Sequence, residues 1–190
     1  MKLGLLASGR GTNLRNLVEL GFEVAAVATN RPSCGAAGFA RECSLPLGEF
    51  SQRGYGSLSE RDAAMAVWLE GCAVELVVNA GYDRILSEAF TARFRDRIVN
   101  VHPSLLPAFG GGMDAVEQAL AAGVKITGCT VHLVTNVVDG GPILLQAPVP
   151  VLDGDTVESL HARIQAEEHR ILPEAIRILE SRLAKSTSLS

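Results

Sequence analysis

Short, wholly apolar runs alternate along the chain with longer stretches whose apolar residues recur every three or four positions. The runs are KLGLLA (2–7), EVAAVAT (23–29), ELVVNA (75–80) and RIVNV (97–101). Continuous apolar runs, as opposed to alternating ones, are the mark of strands buried on both faces. Between them lie TNLRNLVEL (12–20), CGAAGFARE (34–42), SERDAAMAVWLEG (59–71) and SEAFTARFRD (87–96). These carry helical spacing, and several open on Ser, Thr or Asn. Strand–helix–strand alternation predicts a parallel sheet with helices on both faces.

After residue 110 the pattern changes. DAVEQALAAG (114–123) predicts a helix stopped at Gly123. KITGCTVHLV (125–134) and PILLQAPVPV (142–151) predict two strands. The connection between them, TNVVDGG, leaves no room for a helix, so the pair must be antiparallel. TVESLHARIQAEEHRILPEAIRILE (156–180) predicts one long amphipathic helix, or two broken at Pro173. The expected fold is α/β: three-layer and Rossmann-like, mostly parallel, with an antiparallel C-terminal strand pair and a long C-terminal helix. One domain over 1–183 and a polar tail over 184–190 complete it.

Composition narrows the partners. The 190 residues are 47% hydrophobic, enough for a core of normal size, and the net charge is −4. No run of Lys and Arg marks a nucleic-acid or anionic-membrane surface. A small anionic metabolite needs only a few backbone amides and one or two basic groups, so that class stays open. The four cysteines form no C-x-x-C pair, and the histidines complete no zinc spacing, so no metal is expected. They read as free thiols of a reducing compartment. The apolar run at the N-terminus is too short to span a membrane and flows directly into a glycine turn. A cytoplasmic protein is expected.

Four stretches could carry chemistry. ASGRGTNL (7–14) follows the first strand; Gly9 and Gly11 permit a tight turn, and Thr12 or Asn13 can cap the helix that follows. Amides and the positive helix end then face outward, which suits a phosphate. The third glycine of the dinucleotide fingerprint is replaced by Leu14, and no Walker G-K-[ST] occurs. Alone, the stretch reads equally well as a plain turn. NVHP (100–103) ends a strand, where ligands bind in open α/β sheets. Asn100 and His102 are two apart and share a strand face. Asp139 stands in VVDGG (137–141), a common setting for a simple turn aspartate. GYDRIL (81–86) follows another strand end and puts Ile85 and Leu86 in a loop, as a pocket wall or as ordinary packing. His132 reads as structural or supporting, and His161 as a helix-surface residue.

Taken in order, ASGRGTNL, AGYDRIL, NVHPSLLP, GCTVHLV, DGGPILLQAPVPV and RIQAEEH resemble the phosphoribosylglycinamide formyltransferases, from residue 1 to about 180. N-x-H-P-S-L-L-P followed by D-G-G-P is specific to folate-dependent formyltransferases and hydrolases. S-G-x-G-T-N narrows it to the glycinamide ribonucleotide branch. Two relatives that share the catalytic segment carry an additional domain for which this chain has no length. The resemblance implies formyl transfer from 10-formyltetrahydrofolate, as co-substrate, to the amino group of glycinamide ribonucleotide, by a monomer or homodimer.

Residue by residue, it implies that Asn100, His102 and Asp139 are the catalytic trio. It puts Gly11, Thr12 and Asn13 at the ribonucleotide, with Gln165 and Glu168 approaching the same substrate. Asp83, Arg84, Ile85, Leu86 and Asn100 fall on the folate side, and the 134–139 loop is expected to close over the pterin. Asn100 and His102 would donate to the oxyanion, and Asp139 would favour the histidine cation.

Three departures touch this pattern. AFGGGMDAVEQAL follows the proline turn, with three glycines (110–112) in a segment usually more structured. Asp83 stands where an apolar residue is usual, and would alter folate affinity or point to water. The arginine usual before the SERDAAM helix has no clear match, with Leu58 near its place and Arg61 slightly off it. The competing expectations are a formyltetrahydrofolate hydrolase, a non-enzymatic domain that binds a phosphate ligand, and, more weakly, a sugar-nucleotide formyltransferase.

Overall fold

The computed structural model describes residues 1–187. Its strands are β1 (Leu3–Leu6), β2 (Val24–Thr29), β3 (Leu47–Glu49), β4 (Leu76–Asn79), β5 (Ile98–His102), β6 (Ile126–Leu133) and β7 (Ile143–Pro150). Its helices are α1 (Thr12–Glu19), α2 (Gly35–Glu42), α3 (Leu58–Gly71), α4 (Glu88–Arg93), α5 (Ala115–Ala121) and α6 (Val157–Thr187), with a 3-10 turn at Gln52–Gly54. The strands form one mixed sheet in the order β3-β2-β1-β4-β5-β6-β7. β1 pairs in parallel with β2 and β4, β2 with β3, and β4 with β5, while β6 and β7 are antiparallel. The chain divides into two compact units, residues 1–100 with 133–138, and residues 101–132 with 139 onward.

In the first unit the apolar runs form β1, β2 and β4, and the order reverses between β1 and β4. Reversal points of this kind open a crevice beyond the carboxyl ends of the strands. Those ends lead into Ala7–Ser8 and Ala80–Gly81. Leu6, Ala26, Met65, Leu69, Val77, Phe90, Phe94 and Ile98 form the core beneath them. α3 starts on a reciprocal cap: the Glu60 amide donates to Ser57 Oγ (3.1 Å), and the Glu60 carboxylate accepts from the Gly56 amide (2.8 Å).

In the second unit α6 packs on β7 and α5. Its buried stripe is Leu160, Ile164, Ile171, Leu172, Ala175, Ile176 and Leu179. α6 is one helix with Pro173 inside it, which settles the choice between one helix and two. Just before it, Asp155 accepts from the Leu152 amide (2.8 Å), Ser159 Oγ (2.8 Å) and Arg163 Nη1 (2.9 Å).

Three boundaries differ from the sequence pattern. β3 and the 3-10 turn were not expected; three residues are too few to show a period. α4 stops at Arg93, short of the expected 96, and Asp96 is left-handed (φ 59°), a conformation a helix cannot continue through. α6 extends into the expected polar tail as far as Thr187, and 188–190 lie outside the described residues. Among the described residues, no helix is long and apolar enough to cross a membrane.

Candidate active site

The glycine turn belongs to the first unit. Gly11 is the N-cap of α1, with φ +77° and no side-chain cap bond. This corrects the expectation that Thr12 or Asn13 caps the helix: both already lie inside its first turn. A Cβ on Gly11 would stand 2.7 Å from Ala36 Cα, so both the conformation and the space demand glycine. The turn is stapled to the start of α2, whose Ala36 amide donates to the Gly9 carbonyl (3.1 Å). The first turn of α1 follows this staple directly, the geometry that suits an anion.

The 81–87 loop lies in the same unit. The Ser8 amide donates to the Gly81 carbonyl (3.0 Å), and the Asp83 amide donates to Ser8 Oγ (3.0 Å). Ser8 Oγ donates to Asn30 Oδ1 (2.6 Å), whose Nδ2 donates to Asp83 Oδ1 (2.8 Å). Asp83 also pairs with Arg31, and Arg84 Nε stands 3.7 Å from its carboxylate. Burial alone would raise the Asp83 carboxyl, but hydrogen bonding from Asn30 and Ser8 and the charges of Arg31 and Arg84 hold it below its ordinary value. Asp83 therefore does not simply point to water. Ile85 is 71% exposed, while Leu86 packs against the core.

At the far end of that loop the Ser87 amide donates to Asp62 Oδ2 (2.6 Å). Arg61 is fully buried, its Nε and Nη2 donating to Asp62 Oδ1 (2.9 and 2.5 Å). It cannot serve as a surface arginine toward a ligand, and the neighbouring exposed position is Leu58. Asn136 closes this region: it accepts from Thr91 Oγ1 (2.8 Å) and donates to Glu88 (3.2 Å), while Val137 and Val138 are exposed.

β5 carries Asn100 and His102 on one face, with Asn100 opposite Asn79 of β4. His102, 5% exposed, and Asp139 both belong to the second unit. Nδ1 of His102 lies 3.6 Å from Asp139 Oδ2, and Nε2 lies 3.0 Å from the Phe109 carbonyl oxygen. A carbonyl can only accept, so Nε2 carries a hydrogen; Nδ1 then meets the carboxylate best when it too is protonated. On the other side of Asp139, His132 Nε2 stands 3.6 Å from Oδ1. The Gly111 amide donates to Oδ2 (2.8 Å). The carboxyl falls to about 2: the hydrogen bond from His132 leads, burial opposes it, and the Gly111 amide and the two imidazoles add to the fall.

The turn after His102 is held from β6 and β7. Thr130 Oγ1 donates to the Ser104 carbonyl (2.7 Å) and accepts from the Leu106 amide (3.0 Å); Gln146 Nε2 reaches the Leu106 carbonyl (3.0 Å) and Thr130 (3.0 Å). On α6, Gln165 is half-buried, and Glu168 is buried on the apolar stripe, three residues further along the same face. Glu168 adds to the burial that pushes the Cys129 thiol up to about 12. A buried carboxylate on an apolar stripe is itself a functional signal, one that periodicity could have found.

The Phe109 carbonyl, the Gly111 amide and the Asn30–Asp83 network were not singled out from sequence; His132, read there as structural or supporting, stands beside Asp139. Among the described residues, no group of three or more His, Cys, Asp or Glu side chains could hold a metal ion.

Residues 1–176, which include the seven-stranded mixed sheet and the His102–Asp139 pair, match the formyl transferase family model, and the chain belongs to that family. Among its relatives, the phosphoribosylglycinamide formyltransferase of Mycobacterium tuberculosis is 45% identical over 183 residues, covering 94% of this chain and 84% of that protein. The trifunctional purine biosynthetic protein adenosine-3 of Gallus gallus is 41% identical over 187 residues, but the match spans only 18% of that longer protein. The crystal structure of glycinamide ribonucleotide transformylase 1 from Symbiobacterium toebii superimposes with a TM-score of 0.91 at 47% identity, covering 96% of this chain and 89% of that one.

Proposed function

We propose that this chain transfers the formyl group of 10-formyltetrahydrofolate to the amino group of glycinamide ribonucleotide, as a cytoplasmic monomer or homodimer. The observation that carries the reading is the buried His102–Asp139 pair at the end of the strand that bears Asn100, in a chain with relatives named for this reaction.

A neutral amine attacks an amide-like carbonyl and gives a tetrahedral intermediate with an oxyanion, an ammonium and a folate nitrogen as leaving group. The oxyanion requires donors fixed in advance, each worth about 3–4 kcal/mol. Asn100 donates an amide N–H that does not titrate. His102 donates from Nε2, so the formyl oxygen takes the place of the Phe109 carbonyl at that nitrogen. Asp139 holds the ring through Nδ1 and orders a water that carries a proton from the ammonium to the leaving nitrogen. The Gly11–Asn13 turn takes the ribonucleotide phosphate, Gln165 and Glu168 take its hydroxyls, and Arg84, Ile85 and Leu86 flank the folate.

The test is an absorbance assay for tetrahydrofolate formation, with and without glycinamide ribonucleotide. Product that depends on the ribonucleotide is the expected result. Formate release without it would establish a hydrolase, and no turnover in either arm would leave a binding domain.

A further inference from the structure

Asp83 lies at the centre of a closed hydrogen-bond ring. Its amide donates to Ser8 Oγ, Ser8 Oγ donates to Asn30, and Asn30 donates back to the Asp83 carboxylate. Arg31 closes on the same carboxylate from the exposed side. The Asp83 side chain is only 16% exposed, so these bonds are shielded from competing water. The ring joins three strand ends: Ser8 follows β1, Asn30 and Arg31 follow β2, and Asp83 follows β4. All three belong to the first unit and flank the point where the strand order reverses.

Ser8 immediately precedes the glycine turn, and Asp83 immediately precedes Arg84 and Ile85. The second end of that loop is fixed separately by the Ser87–Asp62 bond. Displacing the Asp83 carboxylate removes the acceptor that orients the Asn30 amide, and with it the group that Ser8 Oγ meets. The main-chain bonds from the Asp83 amide to Ser8 Oγ and from the Ser8 amide to Gly81 remain, so the loop and the turn are loosened at their shared side-chain partner while the backbone contact persists.

We propose that Asp83 is a positioning residue that ties the 83–86 loop to the 8–13 turn, so that binding at one depends on the other. This rests on the formyl-transfer reading for the identity of the two substrates. The strap itself does not.

The experiment has two arms. Hydrogen–deuterium exchange is measured on wild type, Asp83→Ala, Asp83→Asn and Ser8→Ala without substrates. Asp83→Ala is expected to accelerate exchange about fivefold in peptides covering both 81–87 and 8–13. Acceleration confined to 81–87 would overturn the strap. In the kinetic arm, Asp83→Ala is expected to raise KM for ribonucleotide and for formylfolate together, each about fivefold. Combined with Ser8→Ala, it should raise the ribonucleotide KM no further than the larger single effect.

Asp83→Asn keeps an acceptor for Asn30 and is expected to recover part of both losses. A rise in the folate KM alone, or effects of the two substitutions that multiply, would overturn the proposal. Should Asp83→Ala fail to fold, Arg31→Ala loosens the same carboxylate and must move both peptides in the same direction. Wild-type protein without ribonucleotide-dependent turnover would refute the formyl-transfer reading, while the exchange arm would still decide the strap.

Discussion

Replacing Asp139 by asparagine removes one charge and little else. The shape is kept, and the amide oxygen of Asn can still accept from Gly111. What disappears is a carboxylate with an imidazole nitrogen at 3.6 Å on either side. A full charge pair near this distance is worth about 4 kcal/mol at an effective dielectric of about 20. The position of the Asp139 carboxyl gives a second gauge. A fall from 3.8 to about 2 corresponds to roughly 2 kcal/mol of preference for the ionised form. Between these values, kcat for Asp139→Asn should drop by roughly 30-fold to 1,000-fold, with KM for both substrates changed by less than about threefold.

The same carboxylate sets an acid limb on stability. Its folded pKa is depressed, so its contribution is complete above the unfolded value near 4 and is lost as pH falls toward 2. Urea midpoints from pH 5 down to pH 2 should therefore fall less steeply in Asp139→Asn than in wild type. A folded variant with kcat within about threefold of wild type would refute the assignment of this charge to catalysis.

Gly11→Ala combines a left-handed φ with a Cβ 2.7 Å from Ala36 Cα, and should cost about 1–3 kcal/mol by urea denaturation while raising KM for the ribonucleotide more than for the folate. Thr130→Val leaves the buried Leu106 amide without its acceptor and should cost about 1–3 kcal/mol, with a loss of kcat because the turn after His102 is no longer pinned. Asp62→Ala strands the fully buried Arg61 charge and frees the Ser87 amide, and should destabilise by about 3–5 kcal/mol in the same denaturation assay.

The fold was legible where the pattern is long and periodic. β1, β2, β4 and β5 follow from apolar runs that only strands buried on both faces sustain, and the antiparallel β6–β7 pair follows from a connection too short for a helix. β3 escaped because Leu47–Glu49 completes barely one alternation. Arg61 and Asp62 escaped for a different reason. Adjacent charges on a helix read as a solvated face, and only tertiary structure shows that they are buried and neutralise each other. α1 misled on its cap, because the usual signal of Thr or Asn at a helix start competes with a glycine whose left-handed φ does the same work one residue earlier.

The candidate site divides along the same line between side chain and backbone. Asn100 and His102 could be read as a pair, since a strand places residues two apart on one face. Asp139 could be named by resemblance, but its approach to His102 is a tertiary fact, as is that of His132 on its other side. The groups that complete the arrangement, the Phe109 carbonyl on Nε2 and the Gly111 amide on Asp139, are main-chain atoms. Every residue has a carbonyl and nearly every residue an amide, so residue type cannot announce them; only chain geometry can. The glycines at 110–112 were the one trace available. Gly111 sits at φ +86°, and a Cβ on Gly110 would come within 3.0 Å of Leu106 and 3.5 Å of Asp139. The stretch that departs from the usual pattern is thus the one that brings the main chain close enough to hydrogen-bond both members of the pair. A Cβ at 110 would crowd only the end of the Leu106 side chain and would meet Asp139 at ordinary contact distance, so the firmer demand for glycine in this stretch is the left-handed φ of Gly111, whose amide holds the Asp139 carboxylate.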